Sequence, residues 1–333
     1  MEWIEFNGQN IGKYEKFIKD QKYAGIWHQP DWLSFQKASG RITNGFFFGI
    51  GDGGNIILSG LILVMKTKIG KYIYIPAGIV SETMDKSVYD FFIANLKKAA
   101  SKYGAFFTRT DSITPYSEEY EKILSSHKEH IPYFKPPIPQ FTNMIDLSPS
   151  LEDIMANMKP KGRYNIKLAE KKGVVLKRGG VDDIPAFYRL LKETTQRDGF
   201  LPNPESYYKL MLETIKNSTL LLAYHENDLL CANIFTFSGN QGLYYYGASS
   251  NVKRNLMAPY LVQWEAIRMA KEHGCKYFDF MGIADPADPN DRLAGVTEFK
   301  LKFGGQVVKF RPSYHIIHNR LVYGIYEGLK KVF

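Results

Sequence analysis

The run Asp228-Leu-Leu-Cys-Ala-Asn-Ile-Phe-Thr-Phe237, the turn Ser238-Gly-Asn-Gln-Gly242 and the run Leu243-Tyr-Tyr-Tyr-Gly-Ala-Ser249 read as two strands of a hairpin. Pro259 then suits the first position of a helix, with Tyr260, Trp264, Ile267 and Ala270 at helical spacing. Lys271-Glu-His-Gly274 ends that helix with glycine past its last turn, and Cys275-Lys-Tyr-Phe-Asp-Phe280 is again a strand. The N-terminal half repeats the order. Asn55–Met65 and Lys71–Ile75 read as strands joined near Gly70, and Val88, Phe91, Phe92, Leu96 and Ala99 mark a helix ending at Gly104. Ala105-Phe-Phe-Thr-Arg-Thr-Asp111 follows as a strand. Hairpin, helix, strand, twice in one order, predicts an α/β (α+β) chain of two related domains. The length of 333 residues agrees, because single cores stop growing well below it.

Between the halves, His130-Ile-Pro-Tyr-Phe-Lys-Pro-Pro-Ile-Pro-Gln140 carries four prolines, which exclude helix and mark a boundary. A strand is expected over Phe141–Leu147, and Ser148-Pro-Ser-Leu-Glu-Asp153 offers helix caps with acids in the first turn. The last segment, Asn319–Phe333, reads as an amphipathic helix (Leu321, Ile325, Leu329) that must dock somewhere.

Composition narrows the chemistry. No apolar run approaches a membrane span, and Met1-Glu-Trp-Ile-Glu5 lacks the basic and apolar regions of a signal peptide, so a cytoplasmic setting is expected. Two cysteines, Cys231 and Cys275, give neither a disulfide framework nor a zinc cluster. Phosphate-loop, dinucleotide, nucleophile-elbow and zinc-protease signatures do not occur. The pairs His127/His130 and His315/His318 lack further ligands at metal spacing, so no metal and no cofactor is expected.

The formal net charge of +9 is concentrated. Lys159, Lys161, Arg163, Lys167, Lys171, Lys172, Lys177 and Arg178 face the single acid Glu170, a pattern suited to phosphate, nucleic acid or an anionic membrane, or to a solvated helix face. Strand alternation predicts Tyr244 and Tyr246 on one face and Tyr245 on the other. The same reading makes Phe299-Lys-Leu-Lys-Phe-Gly-Gly305 a strand with Lys300 and Phe299 on opposite faces, where a lysine beside a cleft could offset an oxyanion or phosphate.

Four blocks resemble the Fem (FemABX) aminoacyltransferases: Lys159–Val174, Ala258–Gly274, Tyr277-Phe-Asp-Phe-Met-Gly-Ile283 and Gly295–Gly305, joined by Gln29-Pro-Asp-Trp32 near the start. With no room for the long coiled-coil arm of some members, the chain resembles the compact ones. The resemblance implies two GNAT-like (acyl-CoA N-acyltransferase-like) domains. The first, on the acceptor side, takes residues 1–145 plus 316–333, and the second, on the aminoacyl-tRNA side, residues 146–315. It implies transfer of an amino acid from aminoacyl-tRNA to the side-chain amine of a peptidoglycan stem peptide, carried by UDP-MurNAc-pentapeptide or lipid II. A monomer with peripheral contact to the inner membrane surface is expected.

Carried over by motif, the resemblance implies Lys300 and Asp111 in catalysis, and Phe299, Lys161, Arg163 and Lys167 toward aminoacyl-tRNA. Tyr207 and Tyr246 fall at acceptor positions. Two departures stand out. Gln36 occupies the family's diphosphate-lysine position, leaving Lys37 as the nearest cation, and Asn203 occupies that of its arginine partner. The rivals are an acyl-CoA-dependent N-acetyltransferase and a non-catalytic RNA-binding module. Lys253-Arg-Asn-Leu-Met-Ala-Pro259, without glycine ahead of the helix, disfavours close approach of a CoA pyrophosphate.

Overall fold

The computed structural model describes every residue except Glu82, Thr83, Lys135 and Phe333, with backbone only for Lys331 and Val332. The chain forms two compact units, residues 1–140 with 309–333 and residues 141–308.

The first unit runs β1 (Glu2–Phe6), α1 (Ile11–Asp20), α2 (Pro30–Ala38), β2 (Ile42–Asp52), β3 (Asn55–Thr67), β4 (Gly70–Ile75), β5 (Val80–Ser81), α3 (Lys86–Tyr103), β6 (Ala105–Thr110), α4 (Glu118–Ser125) and β7 (His130–Pro132). The second holds β8 (Phe141–Asp146), α5 (Leu151–Ala156), α6 (Pro160–Lys171), β9 (Val175–Gly179), α7 (Ile184–Asp198), α8 (Glu205–Thr214), β10 (Ser218–His225), β11 (Asp228–Ser238), β12 (Gln241–Ser249), α9 (Ala258–Glu272), β13 (Tyr277–Asp279), α10 (Ala294–Lys300) and β14 (Gln306–Lys309). The chain then returns to the first unit as β15 (Tyr314–Ile317) and α11 (Arg320–Val332).

The first sheet is ordered β1-β2-β3-β4-β6-β15-β7, with β5 beside β3. In it β4 and β6 pair in parallel and are bridged by α3, as a parallel pair requires a crossover. The Asp85 carboxylate accepts from the Val88 N–H at 2.9 Å to start α3, and Gly104 at φ +67 ends it. The buried face of α3 (Val88, Phe92, Leu96) meets Phe48, Ile62 and Ile73, and Tyr314 and Ile316 join from the returning strand.

The second sheet is ordered β14-β8-β13-β12-β11-β10-β9. Here β12 and β13 are the parallel pair, bridged by α9, so the hairpin–helix–strand repeat read from the sequence is present in both sheets. Ser150 caps α5 by accepting from the Asp153 N–H at 3.1 Å. Phe141–Asp146 pairs with β13 in the second sheet, whereas Tyr314–Ile317 pairs with β6 and β7 in the first. The chain therefore crosses between sheets at residues 140 and 309, against the sequence expectation of 145 and 316.

Two local expectations are corrected. Phe299-Lys-Leu-Lys-Phe303 is not a strand: α10 ends at Lys300 and a 3₁₀ turn covers Leu301–Phe303. Alternating apolar residues also satisfy i,i+4 spacing, and Phe299 and Phe303 both pack on Tyr260, at 5.0 and 5.6 Å between ring centroids. In β12, Tyr244 pairs with Phe235 and Tyr246 with Ile234, so Tyr245 is an inserted bulge residue. The bulge puts Tyr244 and Tyr246 on opposite faces.

Candidate active site

Each unit places a buried carboxylate where its central parallel pair ends. In the first, β4 stops at Ile75 opposite Thr110, and Asp111 follows directly. Asp111 is buried. The Tyr74 phenol donates to one carboxylate oxygen at 2.5 Å and Ser313 Oγ to the other at 3.2 Å. Burial raises its pKa to about 6, against the pull of the Tyr74 and Ser313 hydrogen bonds and the Arg109 charge. Gly78, at φ +79, lies so close that a Cβ there would sit 2.5 Å from the Asp111 carbonyl oxygen. Beside it is a cavity of about 20 Å³ lined by Asp111, Ser112, Arg311 and Tyr314, room for roughly one water. The Arg311 guanidinium lies 3.7 Å from the Tyr120 ring centroid. Lys37 sits exposed in the last turn of α2, next to buried Gln36.

In the second unit, β13 ends at Asp279 opposite Leu243 while β12 runs on to Ser249, and the side chain of Lys300 lies beside the diverging strand. Asp279 is buried and accepts from Thr142 Oγ1 at 2.5 Å and Gln241 Nε2 at 3.0 Å. Burial raises its pKa, opposed by those donors and by the Lys300 charge. Lys300 Nζ donates to the Met281 carbonyl and, at 2.6 Å, to the Gly282 carbonyl, and lies 5.6 Å from the Tyr244 ring centroid. Burial lowers its pKa to about 8, opposed by Asp279. Met281 holds φ +48, a strained value for a side chain, at the turn that Lys300 ties down. Asn143 Nδ2 donates to the carbonyls of Lys300 and Gly304, at 3.2 and 2.8 Å, which fixes the segment from behind.

On the opposite face of β12 lies Tyr246, which the sequence reading groups with Tyr207 and Asn203 toward the acceptor. Tyr246 meets Tyr208 edge-on with centroids 5.0 Å apart, and Tyr207 meets Tyr208 at 5.7 Å. The Asn203 N–H donates to the Tyr208 hydroxyl at 3.0 Å. Tyr207, Tyr246 and Asn203 are thus gathered around Tyr208, which the sequence reading did not single out. Burial holds the Tyr246 phenol well above its ordinary pKa, so it stays a neutral hydrogen-bonding group.

The basic segment divides in two. Lys161 and Lys167 are exposed on α6, while Arg163 Nη1 donates to the carbonyls of Ala156, at 2.9 Å, and Met158. Arg163 therefore closes the end of α5. Lys177 and Arg178 lie on β9 and face Asp183 at 2.7 Å and Glu265 at 3.9 Å. Ahead of α9, Leu256 is buried, Lys253 is paired with Glu226 and Asp228, and Met257 takes φ +57. Among the described residues no group of three or more His, Cys, Asp or Glu could hold a metal ion.

The sequence reading missed Asp279, Tyr74 and Ser313. Asp279 had a signal in the repeat itself, since an aspartate ends or directly follows each post-helix strand. Tyr74 and Ser313 had none, because their partner lies far along the chain.

Two central parallel pairs, each bridged by a helix, define a chain of two GNAT-like domains. The crystal structure of FemX superposes with a TM-score of 0.84 at 18% identity, covering 98% of this chain and 99% of that one. A tandem GNAT protein from the clavulanic acid biosynthesis pathway superposes at 0.59 and 10% identity, covering 96% and 98%. The FemAB family model matches residues 11–134, 126–228 and 223–331, and the chain belongs to that family. Aminoacyltransferase FemA of Staphylococcus epidermidis (strain ATCC 35984) is 23% identical over 99% of this chain and 100% of that protein. FemA of Staphylococcus aureus (strain N315) is 22% identical over 99% of each.

Proposed function

We propose that the protein transfers an amino acid from aminoacyl-tRNA to the side-chain amine of a peptidoglycan stem peptide, supplied as UDP-MurNAc-pentapeptide or lipid II. The observation that carries this reading is the family match across residues 11–331. The amine nitrogen attacks the aminoacyl carbonyl carbon, the ester bond to the tRNA ribose breaks, and an amide forms. The attacking amine must shed a proton, the carbonyl oxygen becomes an anion, and the departing ribose oxygen must gain a proton. Asp111, with a pKa of about 6, suits the proton shed on attack. Lys300, with its charge held in a buried position, suits the oxyanion or the phosphate of the terminal tRNA nucleotide. Phe299 on α10 and Lys161 and Lys167 on α6 serve the tRNA side, with Arg163 tying α6 to the end of α5. Tyr207, Tyr246 and Asn203 serve the acceptor, and Lys37 its diphosphate.

The test is incubation with charged tRNA or with acetyl-CoA and, in separate tubes, UDP-MurNAc-pentapeptide, lipid II and buffer, read by product mass. One aminoacyl residue added to either acceptor is the expected result. Acetylation of the acceptor from acetyl-CoA, or no transfer from charged tRNA to either acceptor, would overturn the reading.

A further inference from the structure

The C-terminal helix α11 docks on the first sheet with one side only. Val322, Tyr323 and Tyr326 pack against Phe106, Phe107 and Ile317. Leu321, Ile325 and Leu329 form an i, i+4, i+8 row that remains 76%, 52% and 40% exposed. Three exposed aliphatics in one row are a costly surface to leave to water.

What surrounds the row identifies its occupant. At the head of α11 opens a cavity of about 740 Å³, far larger than the one beside Asp111, lined by Ile69, Lys97, Lys128, His318, Arg320 and Val322. Val322 and Ile325 are neighbours on the helix surface, so the cavity opens beside the apolar row. Lys97 is paired with Glu129 at 2.6 Å, whereas Lys128 and Arg320 are exposed and have no ion pair among the described residues.

We infer that α11, with the basic cavity at its head, is a docking surface for an anionic lipid membrane. The row Leu321, Ile325 and Leu329 enters the headgroup–acyl boundary, and Lys128 and Arg320 meet lipid phosphates. A basic rim around an aliphatic row matches the two halves of such a surface, anionic above and apolar below. A nucleic acid would use the cations and leave the row in water. A second copy would bury the row and set like charges together. The inference does not depend on the transfer reaction, and its test is read without substrate.

The full chain should sediment with phosphatidylcholine vesicles containing phosphatidylglycerol, less with phosphatidylcholine alone, and less again at high salt. Leu321→Ser and Ile325→Ser should each weaken partitioning by about tenfold, the effect of one aliphatic side chain left unburied. Lys128→Gln and Arg320→Gln should each weaken it by about fivefold on anionic vesicles only. Circular dichroism and thermal melting identify any variant that fails to fold, and the Gln pair keeps the test open if the Ser pair does. Three results would overturn the inference. One is no sedimentation of folded wild type with anionic vesicles. Another is a dimer in solution that Leu321→Ser dissolves. The third is charge-dependent binding, to vesicles or RNA, that Leu321→Ser and Ile325→Ser leave unchanged.

Discussion

Asp111 and Lys300 are each held in a medium that resists their charge. For Asp111 the folded pKa of about 6 lies above the ordinary 3.8, so the native state prefers the protonated acid. That preference is fully present below about pH 4 and is lost as pH rises through about 6. Asp111→Asn should therefore raise stability at pH 8 by up to ~3 kcal/mol and change it little at pH 4, measured by urea unfolding at both. The same variant should lose most activity and the acidic limb of the rate profile. A profile that keeps that limb would take Asp111 out of proton transfer. For Lys300 the folded value of about 8 lies below 10.5, so the native state sheds a proton that the unfolded chain keeps. Between those values wild-type stability should rise with pH relative to Lys300→Met, which has no such group. In the charged state its Nζ uses two N–H groups on the Met281 and Gly282 carbonyls and turns toward Tyr244. Lys300→Met should lower kcat by about 10²–10³ with KM for charged tRNA steady, the signature of a charge felt in the transition state. A raised KM with steady kcat would instead place it at a tRNA phosphate. Near wild-type kinetics in a folded variant would leave it only the task of tying down the Met281–Gly282 turn.

At the scale of elements, α6 and the Leu301–Phe303 turn hold each other. The Lys159 N–H donates to the Lys302 carbonyl at 3.1 Å, and a Cβ on Gly162 would lie 2.3 Å from that same oxygen. Gly162→Ala should therefore push α6 off the turn that follows Lys300, costing about 1–3 kcal/mol by thermal melting. No loss of stability would mean that the helix slides freely. On the exposed side of α6, Lys161→Glu with Lys167→Glu should raise KM for charged tRNA and flatten its salt slope by about two units. Unchanged tRNA kinetics would leave these lysines as a solvated face. Pro259, the long α9 pattern and the paired hairpins were legible in the sequence because each follows a local rule. The Tyr245 bulge was not, since only pairing with β11 reveals the extra residue. The Phe299–Phe303 helix was misread because five residues with alternating apolar groups fit both periods, and Tyr260 decides between them. Family motifs singled out Asp111 and Lys300 in the sequence, and the structure buries both side chains. Tyr74 and Ser313, the donors to Asp111, and Thr142 and Gln241, the donors to Asp279, come from distant parts of the chain and left no local trace.

At the scale of the whole chain, the first unit depends on a strand that arrives last. β15 lies between β6 and β7, with Tyr314 and Ile316 in the same core as α3. All four residues of β15 are buried, and α11 then covers Phe106 and Phe107. The first unit therefore cannot close its sheet until the second has been traversed, which makes its pairings long-range and slow to form. Removing residues 309–333 strips β6 of one of its two neighbours and leaves apolar surface from both clusters in water. The tryptophans report where the damage falls, because Trp3, Trp27 and Trp32 lie in the first unit and Trp264 in the second. The truncated chain should show red-shifted emission and rapid proteolysis within residues 1–140, with a fragment spanning 141–308 surviving longer. Ile316→Asp makes the same point without deletion, since an unpaired charge in a fully buried position costs several kcal/mol. Native emission and uniform protease resistance in both variants would show that the first sheet holds together without its returning strand.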